Sequence, residues 1–226
     1  MYSHILFDAD NTLLDFSKAE RIAFIQTMQA HSIPWDEAML SRYVGINAGL
    51  WQEFEKGLVD KETVQVRRFE MLFGCASVSC ADINASFQKH LSEQAHLMPF
   101  AKEVCEGLSR VAELSIATNG VGATQRKKLT GSAVWPYMTR LFISEELGFP
   151  KPDPRFFDHV LRELGGPERS RVLIVGDSLT SDIQGGMNAG LATCWLNPGG
   201  QAVPDGYRAD YVIRDLRGLF DIVSVT

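Results

Sequence analysis

Cysteine is scarce in this chain and long apolar runs are missing. Only four cysteines occur among 226 residues, Cys75, Cys80, Cys105 and Cys194, and no two form a CxxC pair. A chain of this length does not need a disulfide framework, so buried reduced thiols are expected in preference to metal or redox roles. No stretch is apolar enough for long enough to span a bilayer, and no basic segment leads into a cleavable apolar one, so a cytoplasmic protein without a membrane partner is expected. Basic residues are also in deficit. Lys and Arg total 22 against 28 Asp and Glu, a formal charge of -6 with no long basic run. A nucleic-acid polymer or an anionic membrane surface is therefore a poor partner. A small anionic substrate remains open, because a few local donors capture one whatever the net charge. There is no internal repeat and no low-complexity tract.

What is present is a chain with 45% hydrophobic residues, enough for one core plus a smaller companion domain. Short apolar runs stand at 4–7 (HILF), 114–118 (LSIAT), 140–144 (RLFIS) and 171–176 (RVLIVG), with weaker ones at 192–196 (ATCWL) and 210–213 (DYVI). They are too short for lone helices, rich in β-branched residues, and separated by helix-like segments. That is the pattern of parallel strands buried on both faces. Just ahead of the second of these runs, Val104, Leu108 and Val111 repeat at helical spacing. In the segment 151–166 Asp153 is placed to cap a helix and Pro154 to occupy its first position. Phe157, Val160, Leu161 and Leu164 then form one stripe, and Gly165 and Gly166 end it.

Residues 17–97 contain no convincing strand. Helical periodicity recurs there, with Ile22, Ile25 and Met28 in one segment and Val66, Phe69 and Leu72 in another. The expected organisation is an α/β core of residues 1–16 and 98–226, with a helical domain of residues 17–97 inserted after the first strand.

In an open α/β sheet, ligands bind outside the carboxyl ends of the strands. Asp8 and Asp10 follow the first run, Thr118 and Asn119 end the second, Lys151 lies shortly after the third, and Asp177 ends the fourth. Three carboxylates at one sheet edge repel one another unless a cation sits among them. A hard divalent ion with oxygen ligands, most plausibly Mg²⁺, fits Asp8, Asp10 and Asp177, since it takes one or two carboxylates and completes its shell with water and phosphate oxygens. Thr118 and Lys151 supply donors for the remaining phosphate oxygens.

In order along the chain, DADNT (8–12), Thr118 of IATNG, Lys151 of PKPDP and GDSLTSD (176–182) resemble the four motifs of the haloacid dehalogenase superfamily of aspartate-nucleophile phosphohydrolases. The resemblance implies a Rossmann-like, doubly wound parallel sheet with a helical cap after the first strand. It further implies that Asp8 is the nucleophile, forming an aspartyl-phosphate, and that Asp10 is the general acid and base. Asp177 would be the second carboxylate ligand of Mg²⁺, with Asp182 supporting it. Thr118, Asn119 and Lys151 would hold the phosphoryl group. Asn11 stands where many relatives carry Gly, and Asn tolerates the left-handed backbone that a sharp turn needs.

An acid at position 10 favours hydrolysis of a phosphate ester over dehalogenation within this family. The stretches FDADNTLLDF and ATNG look most like the noncanonical pyrimidine nucleotidase branch, which implies a nucleoside 5′-monophosphate substrate and a monomer or small homo-oligomer. A sugar phosphomutase or sugar-phosphate phosphatase and a non-catalytic phosphate-binding module stay open beside it. In the insert, Arg42, Asn47, Trp51 and Phe54 are candidates for contact with a base, although aromatics at helical spacing are more often core.

Overall fold

A computed structural model describes residues 1–74 and 79–223. The chain divides into two compact units, one of residues 1–15 together with those from 96 onward, the other of residues 16–95.

The first unit is built on six strands: β1 His4–Phe7, β2 Glu113–Thr118, β3 Met138–Ile143, β4 Val172–Gly176, β5 Ala192–Leu196 and β6 Tyr211–Ile213. All neighbouring pairs are parallel and the order is β3-β2-β1-β4-β5-β6. The expected doubly wound sheet is therefore present. Starting from β1, the chain winds outward to β2 and β3 on one side, then crosses to β4, β5 and β6 on the other, so the switch point falls beside β1.

The second unit, inserted in sequence after β1, is all helical: α1 Phe16–Ala30, α2 Glu37–Glu55, α3 Lys61–Phe73 and α4 Cys80–Ser92. The helices of the first unit are α5 Ala101–Leu108, α6 Gly122–Thr130, α7 Ser144–Leu147, α8 Pro154–Glu163, α9 Gln184–Asn188 and α10 Gly218–Val223.

Successive strand residues point to opposite faces of a sheet, and here both faces are covered. Ile5, Phe7, Leu114, Ile116, Leu173 and Val175 pack on one face with Val104 and Leu108 of α5 and Leu219 of α10. Leu6, Ala117, Val172 and Ile174 pack on the other with Phe156, Phe157 and Val160 of α8. Each of these larger side chains contributes about 1.5–3 kcal/mol on full burial. That double coverage explains why the strands read as continuous apolar runs and not as alternating ones.

Helix α8 starts and stops where its sequence signals lie. Asp153 accepts a hydrogen bond from the Arg155 backbone N–H at 2.9 Å, and Gly165 and Gly166 leave the helix at φ 85° and 73°. Three expected helix stripes differ from those observed. In α3 the buried face is Val64, Arg68, Phe69 and Leu72, with Val66 half-buried. Helix α5 ends at Leu108, and Val111 lies beyond it, 55% exposed. In α1 the buried face is Ala19, Ala23, Phe24 and Met28, whereas Ile22 and Ile25 flank it half-buried. The small residues and Phe24 face the core because α4 packs close on that side. Cys105 and Cys194 are buried free thiols, pushed up to about 12 by burial, and Cys80 is half-buried. Cys75 lies outside the described residues. No described helix is long and apolar enough to cross a membrane.

Candidate active site

The sheet edge at the switch point carries the chemistry. Asp8 follows β1 directly, Thr118 ends β2 and Asp177 follows β4, and these three strands are neighbours. The backbone after β1 turns sharply: Leu13 and Leu14 N–H groups donate to the Ala9 carbonyl, Asn11 N–H donates to the Leu14 carbonyl, and Asn11 sits at φ 59°. The left-handed position expected of Asn11 is thus observed. The turn buries Thr12, whose hydroxyl donates to Asp177 Oδ1 at 3.4 Å. After β4, the Trp195 indole N–H holds the Asp177 carbonyl at 2.9 Å.

Carboxylate oxygens of Asp8, Asp177 and Asp182 lie within 4.8 Å of one another. Asp182 reaches this cluster because residue 176 is glycine, since a Cβ there would collide with the Asp182 carboxylate. Asp182 Oδ2 accepts from the Ser178 N–H at 3.1 Å, and its side chain is fully buried.

Lys151 sits among these acids with no exposed surface. Its Nζ donates to Asp8 Oδ1 at 2.8 Å, to Asp182 Oδ1 at 2.5 Å and to the Ala117 carbonyl at 2.7 Å. An ammonium has three donors, and all three are matched. Lys151 thus compensates charge in this structure, and a phosphoryl oxygen reaches it only by replacing one of these acceptors. Burial opposes its charge, but Asp182 and Asp8 outweigh burial and hold it firmly protonated.

Asn119 positions that lysine. Its Nδ2 donates to the Lys151 carbonyl at 2.8 Å, and its Oδ1 accepts from the Lys151 N–H at 2.9 Å. The amide expected to meet substrate is engaged in this two-bond clamp on the backbone of another site residue.

Thr118 is oriented by exclusion. Its Oγ1 accepts from the Gly120 N–H at 3.1 Å and from Gln125 Nε2 at 2.9 Å. A hydroxyl has two acceptor positions and one donor. With both acceptor positions filled, the Thr118 hydroxyl has its proton left to donate. At the start of α6, the Gly122 N–H is taken by Glu145 Oε2 at 2.8 Å, so that amide serves an internal carboxylate.

Asp10 has two partners that composition and spacing did not single out. Lys128 Nζ donates to its Oδ1 at 2.6 Å, and Gln125 Nε2 donates to its Oδ2. Lys128 belongs to the run RKK at 126–128, which reads as a solvated face, yet its side chain is only 1% exposed. The available signal was the i, i+3, i+4 spacing of Gln125, Lys128 and Leu129, which share the buried side of α6.

Burial pushes Asp8 up to about 7, with Asp182 and Asp10 adding to the rise and Lys151 opposing it. Asp177 is also raised, by burial first and then by Asp8 and Asp182. Four carboxylates here face two ammonium groups: Lys128 balances Asp10, and Lys151 is shared by Asp8 and Asp182. When all four are ionised, Asp177 included, two negative charges are left over, which burial and repulsion oppose until a cation balances them, and the donors are all oxygen. A hard divalent cation fits that set in charge and chemistry.

In the insert, Asn47 donates to Glu20 Oε1 at 2.6 Å and accepts from Arg68 at 3.1 Å. Phe54 is buried beside Leu50 and Val64, with Trp51 packed edge-on to it, and Arg42 donates to the Leu72 carbonyl. These four side chains hold the helical unit together.

The chain is 36% identical over 200 residues to the pyrimidine 5′-nucleotidase PynA of Streptococcus pneumoniae, covering 87% of this chain and 84% of that one. It is 35% identical over 216 residues to the pyrimidine 5′-nucleotidase YjjG of Escherichia coli, covering 95% of each. The magnesium-bound crystal structure of YfnB from Bacillus subtilis superposes with a TM-score of 0.94 at 35% identity, over 99% of both chains. The sequence also matches the haloacid dehalogenase-like hydrolase family over residues 5–196, a span that includes every acidic and basic group at this sheet edge. With the motif order, the switch-point geometry and this match in agreement, the chain belongs to the haloacid dehalogenase-like hydrolases.

Proposed function

We propose that the protein is a Mg²⁺-dependent phosphatase that hydrolyses a nucleoside 5′-monophosphate through an aspartyl-phosphate on Asp8. The observation that carries this reading is the separation of Asp8 and Asp10 into two environments. Asp8 is in the buried trio under Lys151, and Asp10 is half-exposed under Lys128 and Gln125. Two carboxylates two residues apart with different partners suit two different roles. The pyrimidine nucleotidase relatives support the choice of ester.

Lys151 grips Asp8 Oδ1, which leaves Oδ2 as the attacking atom. Asp10 enters this half as the neutral acid: as the Oδ2–phosphorus bond forms, the bond to the leaving alcohol breaks, and Asp10 gives its proton to the departing oxygen, becoming the carboxylate that Lys128 and Gln125 hold. Asp10 then takes a proton from water, which attacks phosphorus, releases phosphate and restores the Asp8 carboxylate. Thr118 donates to a phosphoryl oxygen in both halves. Asp8, Asp177 and the Asp10 carbonyl would hold Mg²⁺, with Asp182 supporting, and the ion supplies positive charge to the phosphoryl oxygens. The helical unit, expected at residues 17–97, is the family's cap, and we assign it substrate discrimination. The buried thiols suit a cytoplasmic protein.

A phosphate-release panel of nucleoside monophosphates, sugar phosphates and p-nitrophenyl phosphate, with and without Mg²⁺, tests the reading. Mg²⁺-dependent release with preference for pyrimidine nucleotides is expected. Isomerised sugar phosphate without net release identifies a phosphomutase, and no release from any ester identifies a binding module.

A further inference from the structure

Gln125 and Lys128 lie three residues apart on α6, and each grips a different oxygen of the same carboxylate, that of Asp10. Asp10 is the more exposed partner, at 26%, and a partly exposed Asp side chain has several staggered rotamers open to it. A general acid must stay within hydrogen-bond reach of the leaving oxygen. Lys128 is held at 1% exposure, where a methionine of similar length would pack without the cost of burying an ammonium. What lysine adds is a charged donor on Asp10 Oδ1.

Gln125 does something further. The single nitrogen Nε2 donates to Asp10 Oδ2 and also to Thr118 Oγ1. With Asp10 ionised, the opposite amide orientation would set Oε1 against the carboxylate, acceptor to acceptor; the orientation adopted avoids this and leaves Oε1 buried without a hydrogen-bond partner. Residue 120 is glycine, and a Cβ there would collide with the Gln125 side chain. The turn after β2 is thus shaped to admit this glutamine.

We propose that Lys128 and Gln125 are positioning residues with separable tasks: Lys128 aims Asp10 at the leaving group, and Gln125 couples Asp10 to the phosphoryl-binding Thr118. The inference rests on the phosphatase reading and assigns that site two further residues.

The two tasks differ in what they do to esters with different leaving groups. p-Nitrophenolate departs without needing a proton, whereas the alkoxide of a nucleoside monophosphate needs one. The parameter kcat/KM reports steps up to the first P–O cleavage, where only the second ester depends on Asp10. Lys128→Met is expected to lower kcat/KM for a nucleoside monophosphate by about 100-fold and that for p-nitrophenyl phosphate by less than about threefold. Gln125→Leu is expected to lower both by at least about tenfold, since Thr118 holds the phosphoryl group of each, and to lower the nucleotide further, since Asp10 also loses its Oδ2 donor. Lys128→Arg is expected to restore the wild-type ratio. Circular dichroism and thermal melts check folding, and Lys128→Gln gives the same ratio test if Lys128→Met does not fold. Equal losses on the two esters for Lys128→Met and Lys128→Gln, or no loss on either, overturn the inference while wild-type turnover leaves the phosphatase reading intact. A wild-type protein that cleaves neither ester overturns the reading, and the inference with it.

Discussion

The ammonium of Lys151 lies 2.5 Å from Oδ1 of Asp182, and both side chains are fully buried. Asp182→Ala leaves Lys151 paired with Asp8 and the Ala117 carbonyl but removes a charged hydrogen bond and leaves one of its three donors unmatched. It is therefore expected to destabilise the protein by about 1–3 kcal/mol, read as a lowered denaturant midpoint. Asp182→Asn, which keeps an oxygen for Lys151, should cost less. Equal midpoints for Asp182→Ala and wild type would show that the pair contributes nothing.

Asp8→Asn retains an oxygen acceptor for Lys151 but is a poor nucleophile. Turnover should fall by at least about 10³-fold with circular dichroism unchanged. A variant with wild-type rates would remove Asp8 as the group that attacks phosphorus.

The acidic cluster makes stability depend on pH and on metal together. In the metal-free protein Asp8 is raised to about 7, by burial first, and Asp177 is raised as well. The unfolded chain loses these protons near the ordinary value of about 3.9, so it binds fewer protons than the folded state above that pH. Folding stability accordingly declines as pH rises from about 4 through about 7 on account of Asp8. A divalent cation binds the ionised carboxylates and offsets that loss. Thermal melts should show a larger upward shift with Mg²⁺ at pH about 8 than at pH about 5. The same shift at both values would contradict the placement of the ion among these acids.

Arg68 provides a test of the helical unit by itself. Its guanidinium donates to Asn47 Oδ1, Asn84 Oδ1 and the Gln65 carbonyl, and it lies 4.5 Å from the centre of the Phe87 ring. Only 2% of it is exposed. Arg68→Ala leaves a cavity beside Phe69 and Phe87 and takes the guanidinium donor from Asn47 Oδ1 and Asn84 Oδ1, so a loss of about 3 kcal/mol is expected in chemical denaturation. A loss under about 0.5 kcal/mol would mean that the network is slack.

Motifs at strand ends were legible because the sheet places them by rule: once β1, β2 and β4 are recognised, Asp8, Thr118 and Asp177 follow at their carboxyl ends. Helix α8 was legible because Asp153, Pro154, Gly165 and Gly166 act on their own backbone. Helix α1 was less so, since its sequence holds apolar residues on more than one face and only packing selects Phe24 over Ile22 and Ile25. The candidate base contacts Asn47 and Phe54 could not be told from core residues by spacing, which is the same for both.

Local chemistry and periodicity, carried by the sequence itself, determined the parallel sheet, the helical insert and the acidic residues at one edge, because each depends on neighbours a few residues away. Tertiary structure alone decided that Lys128 and Gln125 turn inward to Asp10, that Asn119 clamps Lys151, and that Asp182 joins Asp8 and Asp177. Apart from Asp177 and Asp182, which are close in sequence, those contacts link positions 32 to 174 residues apart. Whether a lysine in such a place meets water or a carboxylate depends on which element packs over it, which no local pattern encodes.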